Sequence, residues 1–206
     1  MLKRNIYLFI AVYTLFVIGI ETYVYWHARL RPWQPGTPIG RIIFYYSFFT
    51  VLSNLMLAIS CLFLTFKPNC NRYSFNVIRL NGLVGVIITA IIYNSILRGI
   101  HQPPNSLLRF TNESLHVVIP ILGILSWLIW GPFRRINTKV IIGSILSMIT
   151  YAIYIFVRGY FTHQYPYPFI NIDKIGYIKA LYNVSKVLLL FGGLTFLLWC
   201  IDRLRR

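Results

Sequence analysis

Two polar residues inside apolar runs could take part in chemistry: His116, suited to act as a general base, and Thr50, a hydroxyl at a compatible depth. A threonine hydroxyl attacks poorly until a neighbouring base takes its proton, and histidine suits that task because imidazole titrates near neutrality. His116 lies inside a long apolar run, whereas His27, His101 and His163 fall in or near the connections. Thr50 belongs to a polar stripe with Ser47 and Asn54 at helical spacing, with Ser53 close beside it. Asn112, His116, Pro120 and Gly123 share one face of a later run. In hydrocarbon each polar side chain costs free energy unless it is paired or used, so these positions are the informative ones. A purely structural role is the competing account. Interhelical hydrogen bonds contribute about 0.6 kcal/mol each, and Ser or Thr hydroxyls often turn back onto their own helix.

The remaining embedded polar groups are Glu21, Asn94, Arg98, Asn183 and Lys186. A Glu21–Lys186 or Glu21–Arg98 ion pair is expected, because a lone carboxylate in a span is protonated or costly. Lys186 can instead snorkel to the interface. Ser147, Thr150, Tyr151, Tyr154 and Arg158 form a further stripe, expected to line the same cavity as Thr50 and His116. Asn54, Asn94, Asn112 and Arg98 are supporting candidates, any of which would serve as oxyanion donor under the acyl chemistry that the family resemblance given below implies, and Glu21 is then a candidate to orient the imidazole. No metal is expected, since the histidines and four acidic residues give neither H-x-x-x-H nor H-x-x-E spacing. Cys61, Cys70 and Cys200 contain no C-x-x-C pair, which speaks for unpaired thiols. No cofactor is expected either.

The elements that must hold these residues follow from composition. The 206 residues include 20 basic and only 4 acidic side chains, with 57% apolar residues and a mean hydropathy of +0.66. A soluble domain carries about 25% charged residues, twice the 12% found here, so a water-covered globule is excluded. Nucleic-acid binding is excluded because the basic residues are scattered between apolar runs and form no stripe. Six runs approach the length of about 20 residues that a spanning helix needs: 6–26, 42–66, 77–97, 106–130, 139–157 and 177–201. Backbone at membrane depth must satisfy its own hydrogen bonds, so the runs are read as helices. The expected fold is therefore all-α, a polytopic bundle of six transmembrane helices in a single domain over 1–206. No internal repeat of the transporter kind is visible.

Basic residues near the run ends set an expected orientation. Lys3, Arg4, Lys67, Arg72, Arg79, Arg134, Arg135, Lys139, Arg203, Arg205 and Arg206 fall on the side of both termini. Arg29, Arg31, Arg41, Arg98, Arg109, Arg158, Lys174 and Lys179 fall on the other, a smaller set that favours cytoplasmic termini in the cell membrane. Depth then makes the chemical pair compatible. Thr50 lies nine residues past Arg41, about 13 Å along a helix, and His116 ten residues past Ser106, about 15 Å.

Three segments carry a family resemblance: FFTVLSN at Phe48–Asn54, TNESLHVVIP at Thr111–Pro120 and YPYPF at Tyr165–Phe169. Together they resemble the androgen-induced and androgen-dependent membrane proteins, multi-span threonine hydrolases that cleave fatty acid esters of hydroxy fatty acids, and a bacterial branch of that superfamily in particular. The resemblance implies that Thr50 is the nucleophile, that His116 is the base, and that Tyr165-Pro166 is a structural element. It departs from the animal members in the residues flanking both positions. The expected activity is hydrolysis of a lipid ester within the bilayer. The expected partners are membrane lipids or a lipid-like substrate, with no nucleic acid and no identifiable protein. A different class of function uses the same polar cavity without covalent chemistry, as a small lipid- or solute-binding transporter or a membrane assembly protein.

Overall fold

The computed structural model describes residues 1–100 and 103–205. His101 and Arg206, which figure in the connection and charge expectations above, lie outside the described residues. Among the described residues the protein is an all-α bundle with six helices long and apolar enough to cross a membrane. In chain order these are α1 (Leu2–His27), then a short α2 (Pro38–Tyr46) leading into α3 (Phe49–Phe66). Next comes α4 (Tyr73–Ile92), which continues through a π-helical turn at Tyr93–Leu97. The fourth span combines α5 (Ser106–Glu113), a second π-turn (Ser114–Val118) and α6 (Ile119–Trp130). The last two spans are α7 (Thr138–Thr162) and, after a short α8 (Ile172–Ile175), α9 (Tyr177–Leu204).

The expected run 42–66 is not one helix, and this is the main correction to the sequence reading. It breaks at Ser47-Phe48, where Phe48 takes an extended conformation and becomes the N-cap of α3. A break at membrane depth frees backbone groups that must find partners in the protein. Two phenols provide them. Tyr151 Oη donates to Ser47 O at 3.0 Å, and Tyr167 Oη accepts from Thr50 N at 3.2 Å.

α4 is the central element, with about two thirds of its most apolar stretch buried (67%), whereas α9 is peripheral at 17%. The α3–α4 contact is close because α4 presents glycines there. A Cβ on Gly82 would lie 2.7 Å from Leu57 N, and one on Gly85 would lie 2.5 Å from Ser53 Cβ. Small residues let helix backbones approach in lipid, where packing replaces the hydrophobic drive. Gly82→Ala meets backbone that cannot rotate away, so it should destabilise by about 1–3 kcal/mol. A lowered thermal unfolding midpoint in detergent checks this; an unchanged midpoint would contradict so tight a contact. Outward faces are apolar too, with Ile178, Leu189 and Phe196 among many exposed large side chains, as a lipid-facing surface requires.

Both chain ends and the 67–72 and 131–137 connections gather at one end of the bundle. There Tyr7 Oη donates to Gly131 O at 2.6 Å, and Ile136 N donates to the Asp202 carboxylate at 2.9 Å. At the opposite end, the buried Arg41 ties the first connection to the last carbonyls of α1. It donates to Tyr25 O, Trp26 O and Gly36 O at 2.6–2.7 Å.

The expected ion pairs of Glu21 do not form. Glu21 instead accepts from Thr111 Oγ1 at 2.7 Å, so a hydroxyl on α5 provides what a basic partner was expected to provide. Arg98 pairs with Glu113 at 2.7 Å, and Lys186 lies over the Tyr182 ring at 4.1 Å, on an exposed stretch of α9. A neutral donor satisfies the Glu21 oxygen without burying a second charge.

Candidate active site

The helix break places Thr50 in the first turn of α3, where N–H groups have no intrahelical partner. Such a helix start carries a partial positive charge. On the facing span, His116 sits in the π-turn, and Pro120 explains why that turn is wide. Proline has no N–H to give and its ring crowds the carbonyl four residues back. The ladder widens to suit, so that Ile119 N bonds to Ser114 O, five residues back. Neither Ile119 nor Pro120 then supplies a backbone donor to Leu115 O. Asn54 does, through Nδ2 at 3.2 Å, while the same Nδ2 donates to Thr50 O at 2.8 Å. Asn54 therefore brackets the backbone of Thr50 to the residue before His116.

The side chains brought together form a directed chain. His116 Nδ1 lies 2.7 Å from Asn112 O. A carbonyl only accepts, so Nδ1 carries the proton and Nε2 presents a lone pair. Nε2 lies 3.4 Å from Thr50 Oγ1, which makes the threonine hydroxyl its donor. Thr50 Oγ1 in turn lies 3.4 Å from Tyr167 Oη. Tyr167 already accepts from Thr50 N, leaving its own proton free to point at Oγ1. Burial raises the Tyr167 phenol above its ordinary pKa, so it stays a neutral donor. The 3.4 Å separations are long for hydrogen bonds, as catalytic contacts without substrate often are.

Tyr93 covers the imidazole. Its ring centroid lies 4.1 Å from that of His116 at an interplanar angle of 30°. Asn112 Nδ2 donates to Tyr93 Oη at 2.5 Å, and the Arg98–Glu113 pair stands behind it.

Thr50, His116 and Tyr167 line a cavity of about 640 Å³, mouth included. Thr89 and Tyr151 add the other polar groups; the rest of the wall is apolar, from Phe49, Ile88 and Ile92 through Met148, Ile155 and Phe156 to Val184 and Val187. Ordinary ligand pockets have this mostly apolar composition with a few convergent polar groups.

Several expected contributors stand elsewhere. Asn54 and Asn112 are buried beside the pair but spend their amide hydrogens on Thr50 O, Leu115 O and Tyr93 Oη. Asn94 and Arg98 are exposed; Arg98 donates to Asn94 and to Glu113, and Asn94 donates to Ala90 O. Glu21 does not orient the imidazole; the Asn112 carbonyl holds that nitrogen. Lys186 is exposed on α9. Of the stripe on α7, only Tyr151 lines the cavity. Thr150 is exposed and bonds back to Leu146 O, while Arg158 lies over the Phe44 ring and donates to Gln164 O. Sequence reasoning missed Tyr167 and Tyr93. The YPYPF segment pointed to Tyr167's neighbourhood, but attention fell on Tyr165, which packs against Gly159. No group of three or more His, Cys, Asp or Glu residues that could hold a metal occurs among the described residues. No family model, curated protein or solved structure matches the chain.

Proposed function

We propose that this protein is an integral-membrane lipid-ester hydrolase in which Thr50 is the nucleophile and His116 the general base. The observation that carries this reading is the 3.4 Å approach of Thr50 Oγ1 to a lone-pair-bearing His116 Nε2 at the wall of an apolar cavity. Hydrogen-bond glue needs neither a fixed tautomer nor an adjoining cavity. The family resemblance of the three segments adds the acyl-ester substrate class.

In this mechanism His116 Nε2 takes the Thr50 proton as Oγ1 attacks the ester carbonyl carbon. The carbonyl oxygen becomes an oxyanion. The Tyr167 hydroxyl presents a donor hydrogen towards it, and the N-terminal end of α3 adds a positive dipole. Collapse of the tetrahedral species breaks the ester C–O bond, and imidazolium returns its proton to the leaving alcohol. Water, deprotonated by the same nitrogen, then attacks the threonyl ester and releases the fatty acid. Acyl chains suit the remaining wall, since Ile88, Met148, Ile155 and Val187 offer no hydrogen bonds.

The nearly all-apolar wall also favours a second reading, a cavity that holds a lipid without cutting it. Labelling of the purified protein with a fluorophosphonate separates the two. The hydrolase becomes covalently modified and the pure binder does not.

Orientation belongs to the same proposal. The excess of basic residues at the end with both termini favours cytoplasmic termini and places Thr50 in the outer half of a cell membrane. Reporter fusions at the C-terminus and in the connection at Gly36 should report opposite sides, the C-terminal one inside. A C-terminal reporter found outside would reverse the orientation.

A further inference from the structure

The end of the bundle that holds both termini contains a second cavity, about 280 Å³ with its mouth. Arg79, Arg135 and Asn76 provide its polar wall, and Leu80, Leu83 and Trp127 its apolar one. Arg79 is 5% exposed, and the two ion pairs found among the described residues lie elsewhere. Its Nη1 donates to Ser60 Oγ at 3.2 Å and its Nη2 to Gly131 O at 3.1 Å, while the buried Nε has no partner. Arg79 and Lys3 lie over the same Tyr7 ring, at 5.4 and 6.0 Å, so a third cation stands at this end. Arg135 donates to the carbonyls of Cys70 and Pro68. Burial foremost, with the Arg79 charge among the lesser causes, lowers the pKa of its guanidinium below the ordinary range.

These cations have little to balance them. Asp202 is the acidic side chain on this side; its charge acts on Arg135, and its Oδ2 accepts from Ile136 N at 2.9 Å. One carboxylate against Lys3, Arg79 and Arg135 leaves an excess positive charge around a cavity. Taking an uncompensated guanidinium out of water is costly, and a bound anion removes that cost. The forked N–H edge of arginine matches phosphate oxygens better than any other side chain does.

We propose that this cavity binds a phosphoryl anion, supplied by the headgroup of an acidic phospholipid in the leaflet around this end of the bundle. Depth supports a lipid source. Arg79 lies six residues into α4, about 9 Å from its start, where headgroups give way to chains. This end also carries most of the chain's basic residues near span ends, which draws acidic lipids. The site shares no wall residue with the Thr50 cavity and does not depend on the hydrolase reading.

The test is thermal unfolding of the full chain in nonionic detergent, with phosphatidylglycerol, phosphatidylcholine or inorganic phosphate added. Phosphatidylglycerol should raise the midpoint by about 5 °C near saturation. Phosphatidylcholine should not, and Arg135→Gln should lose most of the response. If inorganic phosphate alone reproduces the shift, the anion site stands and its source is the free ion. Equal shifts with both lipids, or a full response in Arg135→Gln, would overturn the proposal. Should that variant fail to fold, native mass spectrometry of the unaltered chain decides. One phosphatidylglycerol retained against excess phosphatidylcholine supports the site, and none retained refutes it.

Discussion

Thr50→Ala and His116→Ala should each lower ester hydrolysis by about 10⁴-fold in a protein that still folds. The size follows from the two residues acting as one device. Without the hydroxyl there is no acyl acceptor, and without the imidazole the hydroxyl keeps its proton. Thr50 is 7% exposed and His116 is half-buried, and both border an existing cavity, so truncation of either enlarges it. Thr50→Ser should retain measurable activity, because the oxygen survives and only a methyl group is lost. The double variant should be about as inactive as either single one, since the effects of residues in one unit do not add. Initial rates on a fatty acyl ester, with circular dichroism as the folding control, provide the measurement. A folded Thr50→Ala protein with near-normal rates would place the chemistry elsewhere.

The second large effect is expected at Tyr167. Tyr167→Phe removes the hydroxyl that accepts from Thr50 N and faces Thr50 Oγ1. Loss of one oxyanion donor lowers kcat by about 10²-fold, with little change in KM because the ground-state contacts remain. Loss of the acceptor also leaves a buried N–H unsatisfied, a cost of about 1–3 kcal/mol in stability. The two consequences separate two roles. A fall in stability with unchanged kcat would make Tyr167 only a cap for the broken helix. A fall in kcat makes it part of the reacting site as well.

The six membrane-length helices were legible as apolar runs because hydropathy over about 20 residues is a coarse and robust signal. The helix rise counted from Arg41 to Thr50 crosses the break at Ser47-Phe48 and so does not measure depth, yet the Thr50 and His116 side chains lie 3.4 Å apart. The break at Ser47-Phe48 was not legible. Neither Pro nor Gly marks it, and it exists because Tyr151 and Tyr167, distant in sequence by about a hundred residues, take over the freed backbone groups. The wide turn at His116 was closer to visible, since Pro120 announces an interrupted ladder. What could not be read was that Asn54 would fill the vacancy at Leu115 O. The Glu21 expectation failed for a related reason. Charge arithmetic proposes ion pairs, but Thr111 reaches the carboxylate from α5, and Glu113, itself unremarked in the sequence, takes Arg98. Pairings of this kind depend on which helix faces which, and composition does not encode that.

The central claim is that Thr50 Oγ1 is an activated nucleophile. Mapping the site of fluorophosphonate modification by mass spectrometry of the digested protein tests it most directly. A single adduct is expected on the peptide containing Thr50, absent from His116→Ala, whose threonine is intact but lacks its base. An unmodified protein, or an adduct on another residue such as Ser53 or Thr89, would contradict it.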